Sequence, residues 1–295
     1  LKENGYEVHV AARNNLGEKN GLDLDSPDRI YNVPFDRSPL SKVNLFAYKE
    51  LKNIISKNDY EIIHCNTPMG GVITRLAART ARRSGARVFY TAHGFHFYKG
   101  APLKNWLVYY PVEKWLSYYT DKLITICSED YNFAVRKKFG TTIERIYGVG
   151  ANTDKYFQPS ENRIVSLREE EGYSSGQFIC ICTGELNKNK NQSTVIKAVP
   201  RIIERIPHFR LLLAGNGPLD QELKKLISSL GMTEHIRMIG YRTDLERYVM
   251  MSDIVISASL REGLGLNVIE AMLCGKPIVA SRNRGHSELI KNMKN

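Results

Sequence analysis

Two α/β domains built on parallel sheets are predicted by three features of the sequence. Short apolar runs rich in β-branched residues alternate with amphipathic helical stretches along almost the whole chain. That is the pattern of βαβ units with right-handed crossovers. A length of 295 residues fits about two domains. Glycines stand at several strand-to-helix junctions, where an open parallel sheet admits a ligand.

The first domain is expected over residues 1–154. Its opening, LKENGYEVHVAARN, reads as the tail of a helix, a glycine turn and a strand at 7–12. Further strands are expected at 61–67, 87–93, 122–127 and 143–150. Between them, 45–58 and 70–85 carry apolar residues at three- and four-residue spacing, as helices do. Residues 102–120 interleave Trp106, Tyr109, Tyr110, Trp115, Tyr118 and Tyr119 with Lys104 and Lys114. Such a mixture suits a lipid headgroup interface. It also suits a packed helix broken near Pro111.

The second domain is expected over 155–295, with a polar lead-in at 158–176. Its strands are predicted at 177–186, 210–215, 236–241, 254–259 and 277–281. Helices at 193–206, 218–231 and 243–252 alternate with them. Cys180 and Cys182 alternate within one strand and should share a buried face; no His or Cys cluster marks them as metal ligands. With five cysteines and no disulfide framework, a reducing cytoplasm is expected. No apolar run approaches the ~18 residues that span a bilayer, and no signal peptide is recognised. The formal charge is +11, much of it in the first half, in RTARRSGAR (79–87) and VRKKFG (135–140). Nucleic acid is one candidate partner, but no recognition motif accompanies the charge; an anionic membrane surface is the other.

The chemistry concentrates at 252–281. A short apolar strand ends at Gly263-Leu264-Gly265, and a helix starts near Leu266 and stops at Gly275 and Pro277. Glycines there permit close backbone approach, and the first-turn N–H groups of the helix favour an anion such as phosphate. Glu262 precedes the helix and Glu270 lies about a turn into it. Carboxylates accept hydrogen bonds from hydroxyls. A ligand with phosphate in its middle and hydroxyls at both ends suits that pair, although solvated glutamates are the alternative.

EGLGLNVIE (262–270), two glutamates separated by seven residues, resembles the signature of family 4 retaining glycosyltransferases. Seven more segments resemble that family in the same order. They are HCNTP (64–68), YTAHGFHFYKG (90–100), ITICSED (124–130), GVGANTDKYF (148–157), TGELNKNKNQ (183–192), LLAGNGPL (212–219) and IGYRTDLERYV (239–249). The resemblance covers nearly the whole chain and is nearest to bacterial transferases of capsule, exopolysaccharide and O-antigen synthesis. It implies two facing Rossmann-like domains, the GT-B architecture. It also implies a chain lacking roughly twenty-odd residues at its front, with the first strand, and tens of residues at its end.

The resemblance implies a hexosyl- or N-acetylhexosaminyl-transferase. The sugar would pass, with retained configuration, from a nucleotide diphosphate, expected to be a UDP-sugar, to a lipid-linked saccharide. Such an enzyme works without cofactor or metal, at the inner face of the cell membrane. Lys190 matches the family's phosphate-binding lysine, and Glu262 with the amides of Gly263, Leu264, Gly265, Leu266 and Asn267 would hold the sugar and phosphate. Glu270 would bind ribose hydroxyls, and the turn Gly215, Asn216, Gly217 would face the nucleotide. The base would lie near Tyr241 and Arg242, and His93 would face the donor sugar. Many relatives carry an arginine where this chain has Glu185, which questions a two-cation clamp. A noncatalytic nucleotide-sugar-binding domain and an epimerase of the same fold are the alternatives. A dehydrogenase is disfavoured, since no GxGxxG follows a first strand.

Overall fold

The computed structural model describes residues 1–13 and 27–291. The chain forms two compact units, Leu1–Tyr147 and Gly148–Asn295. Both are α/β with parallel sheets, as the βα alternation predicts.

In the first unit, β1 (His9–Ala12) and β2 (Arg29–Asn32) form a parallel pair. Helix α1 (Val43–Ser56) follows, then β3 (Ile62–Cys65), α2 (Pro68–Ala77), α3 (Arg79–Arg83) and β4 (Arg87–Ala92). The unit closes with α4 (Leu103–Leu116), β5 (Lys122–Thr125), α5 (Ser128–Arg136) and β6 (Thr142–Arg145). Strands β3 to β6 make a parallel sheet in chain order. The strand at Arg29–Asn32 was not expected: it is defined by its pairing with β1, not by a local pattern. The helix expected over 70–85 is two helices meeting at Ala78. Helix α4 runs through Pro111 without ending there. Pro111 lies on the exposed side, where water can take the carbonyl that its missing N–H leaves unpaired.

The two faces of the sheet carry separate cores. Ala47, Ile73, Ala77 and Val88 pack on one side. On the other, Tyr90, Phe95, Phe97, Phe133 and Phe139 form an aromatic cluster that Trp106 and Tyr110 of α4 complete. Arg75 is buried beside it. Its guanidinium donates to Glu113 at 2.9 Å and lies 4.0 Å from the Tyr90 ring centroid.

The second unit opens with α6 (Glu161–Glu170), β7 (Phe178–Thr183) and α7 (Gln192–Ile203). It continues with β8 (Phe209–Ala214), α8 (Asp220–Ser229), β9 (Ile236–Gly240), α9 (Leu245–Met251) and β10 (Ile254–Ser257). It ends with α10 (Leu266–Leu273), β11 (Ile278–Ala280) and α11 (Arg284–Leu289). The polar stretch expected as a lead-in is thus partly helical. Ser160 caps α6 by accepting from the Arg163 N–H, and Arg168 ties the helix to the Met251 carbonyl and to Asp253. Alternate residues of β7 enter opposite cores: Ile179 and Ile181 on one face, Cys180 and Cys182 on the other. Burial pushes the Cys182 thiol up to about 12, so it is an inert apolar filler.

The sheet order is β11-β10-β7-β8-β9, parallel throughout. From β7 the chain steps outward to β8 and β9, then crosses back to place β10 on the other side of β7. The topological switch point therefore lies between β7 and β10. Loops leaving their carboxyl ends diverge there and open a crevice, where sheets of this kind bind ligands.

Candidate functional site

The crevice at the switch point is built by two loops, one on each side. The loop after β7 carries Lys190, and the loop after β10 carries Glu262. The Lys190 ammonium donates to Glu262 Oε1 at 2.7 Å. Backbone contacts hold the loops in register: the Leu260 N–H donates to the Asn189 carbonyl at 2.8 Å, and the Asn189 amide to the Arg261 carbonyl at 2.9 Å. Each loop feeds a helix, α7 or α10, whose N-terminus has no side-chain cap. The Thr194 and Val268 N–H groups bond back to the Asn191 and Gly265 carbonyls, and the earlier amides of each first turn have no intrahelical partner.

The turn before α10 depends on glycine. Gly265 has φ +92°, and a Cβ there would lie 3.0 Å from His286 Cδ2. His286 is buried and orders this corner. Its Nδ1 lies 2.8 Å from the Ser281 carbonyl and 3.0 Å from the Asn283 amide nitrogen. Its Nε2 lies 3.1 Å from Ser257 Oγ, which accepts from the Asn267 amide at 3.2 Å. One chain of hydrogen bonds thus joins the end of β10, the first turn of α10 and α11. Gly285 packs against Glu262: a Cβ there would meet both Glu262 Cβ and its carbonyl at 2.8 Å. Leu264 is buried, packed where Gly148 has no side chain. Gly263 is half-buried, and Leu266 is exposed.

Glu270 lies on α10 within the field of Lys190. Burial raises its pKa above the ordinary carboxylate value, while a hydrogen bond from Tyr156 and the charge of Lys190 pull it down. Lys190, Glu262 and Glu270 therefore share one neighbourhood. Tyr156 is buried, its acidity reduced chiefly by that burial. Because residues 148–158 pack here, with Gly148 on Leu264 and Gln158 against Gly275, the unit begins at Gly148.

The loop after β8 closes the far side. Gly215 has φ +135°, and a Cβ on it would lie 2.1 Å from the Gly184 carbonyl oxygen. A Cβ on Gly217 would lie 2.4 Å from the Leu186 carbonyl oxygen. Both glycines are needed for loop-on-loop packing. Asn216 Oδ1 accepts from the Tyr241 N–H at 3.1 Å, linking this turn to the loop after β9. The Tyr241 ring is exposed. Arg242 is engaged by Asp244 through two 2.9 Å bonds and lies 4.8 Å from the Tyr248 ring centroid. Glu185 accepts from Asn187 at 3.0 Å.

His93 belongs to the first unit, directly after β4, and is exposed. Partial desolvation lowers its pKa, which favours the neutral ring at pH 7. His64, on β3, is its neighbour. Its Nε2 is 2.8 Å from Thr91 Oγ1, and burial, with the nearby His93, lowers its pKa. Within this unit a cleft of about 1380 Å³ separates the β1–β2 pair from β3, with His64, Asn66, Thr67 and His96 among its polar lining groups. Among the described residues, no three His, Cys, Asp or Glu side chains gather at metal-binding distance. No described helix is long and apolar enough to cross a membrane.

Sequence reasoning missed Tyr156 and His286. Neither stands in a pattern with Glu270 or Gly265 that spacing could reveal.

Comparison with known proteins gives one answer. A family profile described as Glycosyl transferases group 1 matches residues 165–295, and one described as Glycosyl transferase 4-like matches residues 1–127. The chain is 45% identical to "Putative glycosyltransferase EpsD" of Bacillus subtilis, over 100% of this chain and 76% of that one. It is 27% identical to the Escherichia coli UDP-Gal:alpha-D-GlcNAc-diphosphoundecaprenol alpha-1,3-galactosyltransferase, over 84% of this chain and 66% of that one. Among solved structures, Anabaena HepE in complex with UDP and glucose superposes with a TM-score of 0.75 at 21% identity, covering 96% of this chain and 75% of that one.

Proposed function

We propose that this chain, which belongs to the group 1 (family 4) glycosyltransferases of GT-B architecture, transfers a sugar from a UDP-sugar to a lipid-linked saccharide with retention of configuration. The observation that carries this reading is the Lys190–Glu262 pair across the switch point, with Glu270 in the field of the same lysine. A nucleotide-diphosphate sugar presents a diphosphate between two sets of hydroxyls, and these three groups offer one cation and two hydroxyl acceptors.

In this reading Lys190 and the uncapped N-terminus of α10 stabilise the departing diphosphate. Glu262 accepts from sugar hydroxyls and Glu270 from ribose hydroxyls. The turn at 215–217, held in place by its packing on the loop after β7, faces the nucleotide. The anomeric carbon loses its bond to the diphosphate oxygen as the acceptor oxygen bonds on the same face, and the acceptor proton passes to the departing phosphate. No group here attacks the sugar; the glutamates position it.

A relative named for UDP-galactose and a diphosphoundecaprenol acceptor, and a neighbour solved with UDP and glucose, support UDP and a lipid-linked acceptor. Such an acceptor places the reaction at an anionic membrane surface, on its cytoplasmic side. The test is calorimetry with UDP, then product analysis with UDP- and GDP-sugars on undecaprenyl-diphosphate-linked acceptors, reading the anomeric configuration by NMR. UDP binding with a retained glycoside is the expected result. An inverted product, or hydrolysis without transfer, refutes it.

A further inference from the structure

Helix α4 is apolar on both sides, and among the described residues its inner side is the one packed into the core. Its inner face is spoken for: Trp106 and Tyr110 join the aromatic core, Glu113 pairs with Arg75, and Leu116 is fully buried. The outer face carries Leu103, Leu107, Val108, Trp115 and, in the turn beyond, Tyr118, all exposed, with Leu103 at 72% and Leu107 at 69%; the Trp115 ring meets Tyr119 edge-on at 5.2 Å. Leu103, Leu107, Pro111 and Trp115 fall every fourth residue, one row about 18 Å long. Lys104 is the charged residue exposed on this face. A helix facing water presents polar residues there; a continuous apolar row marks an interaction surface.

The surroundings of the row are basic. Arg79 lies 4.6 Å from the Tyr119 ring centroid, and Arg82 donates to the Tyr118 carbonyl at 3.0 Å. Arg83 lines the same hollow. On the other flank Lys114 donates to the carbonyls of Lys137 and Lys138, which brings both of those exposed lysines to the end of the helix. The one acid in that hollow is Asp121, and it is committed to Arg82 through bonds of 2.9 to 3.1 Å. The patch is therefore an apolar ridge with a cationic rim.

We propose that this outer face of α4 docks the chain onto an anionic lipid bilayer. Leu103, Leu107 and Val108 enter the acyl boundary, Trp115 and Tyr118 sit at headgroup level, and Arg79, Arg83, Lys104, Lys137 and Lys138 meet lipid phosphates. A second copy of the chain is the poorer occupant. A two-fold contact would bring the same cations face to face. The inference rests on the proposed lipid-linked acceptor for its purpose, and its test needs neither donor nor acceptor.

The full 295-residue chain is floated with vesicles of phosphatidylcholine alone or with 30% phosphatidylglycerol. Anionic vesicles should bind at least tenfold better, and 0.5 M NaCl should reverse most of that gain. Leu107→Ser/Trp115→Ser should lose about tenfold or more. Arg79→Ala/Arg83→Ala should lose about fivefold per charge on anionic vesicles and nothing on neutral ones. UDP calorimetry on each variant reports whether the second unit is intact, and near-UV circular dichroism whether the aromatic core is. Lys137 and Lys138 lie outside α4 and are exposed, so Lys137→Glu/Lys138→Glu tests the patch without changing the helix. Unchanged flotation in these variants, or preference for neutral vesicles, overturns the proposal. So does concentration-dependent dimerisation that Leu107→Ser/Trp115→Ser abolishes. Failure of UDP binding or transfer in wild type, with flotation as expected, would sink the transferase reading and leave this one standing.

Discussion

Replacing Lys190 by alanine removes a cation that bonds Glu262 and lies in the field of Glu270 in the proposed donor site. The side chains of Lys190 and Glu262 are 23% and 15% exposed, so the pair is neither a surface contact nor a dry one. At an effective dielectric near 20, charges about 4 Å apart attract by about 4 kcal/mol. Desolvation and side-chain ordering offset most of that, and the net loss on breaking the pair should be about 1–2 kcal/mol. The effect on transfer should be larger. A donor aimed at developing negative charge contributes about 2.7–4 kcal/mol, so kcat/KM should fall by about 10²–10³. Urea denaturation measures the first quantity and initial rates of transfer the second. A cycle with Glu262→Ala separates the two roles of Lys190. If the lysine only orients Glu262, Lys190→Ala costs nothing further in the Glu262→Ala background. If it also meets the diphosphate, it costs most of its effect there as well. A kcat/KM for Lys190→Ala within about threefold of wild type, at unchanged stability, would refute the reasoning.

Other outcomes follow from the same geometry. Gly217→Ala places a Cβ 2.4 Å from the Leu186 carbonyl oxygen and 2.6 Å from its nitrogen, both backbone, and should destabilise by about 2–3 kcal/mol. Gly176→Ala, where the Cβ meets open space, is the neutral control, and equal melting temperatures for the two variants would contradict the packing argument. UDP affinity, titrated by calorimetry, should fall on acidification through a transition above the ordinary carboxylate range, as Glu270 takes up a proton. Tyr156→Phe should move that transition to higher pH, and Glu270→Gln should abolish it. Stability moves the opposite way: with its folded pKa raised, Glu270 contributes fully below its unfolded value of about 4.5 and loses that contribution as pH rises through the folded value. Glu113→Ala leaves the Arg75 guanidinium buried without its carboxylate and should cost about 3–5 kcal/mol. Arg75→Met/Glu113→Leu should recover much of this in chemical denaturation, and a single-variant loss below about 1 kcal/mol would count against a buried pair.

Much of the architecture could be read from local pattern. Strands β3, β4, β5, β7, β8, β9 and β10 announce themselves as short β-branched runs, because a buried parallel strand must be apolar on both faces. Helix α6 and strand β2 escaped because their stabilisation is not local. Arg168 reaches across to Met251 and Asp253, and Arg29–Asn32 gains its structure by pairing with β1. Pro111 misled for a related reason: α4 is held through it by the aromatic core on its inner face.

Residue pattern alone establishes the βα alternation, the Gly-Leu-Gly turn between two glutamates, the clustering of aromatic and basic residues at 102–120 and the family. These depend on residues close together in the chain, where period and spacing speak directly. Tertiary structure decided which distant residues act together. Lys190 and Glu262 are 72 positions apart and meet at 2.7 Å because the sheet reverses its direction of growth at β7. Tyr156 reaches Glu270, and His286 braces Gly265, by the same closure of loops at one end of the sheet. Only the fold could show, too, that the inner aromatic residues of α4 are core while Leu103, Leu107 and Trp115 are exposed. Amphipathic spacing is visible in a sequence, but which face of a helix is covered depends on what packs against it.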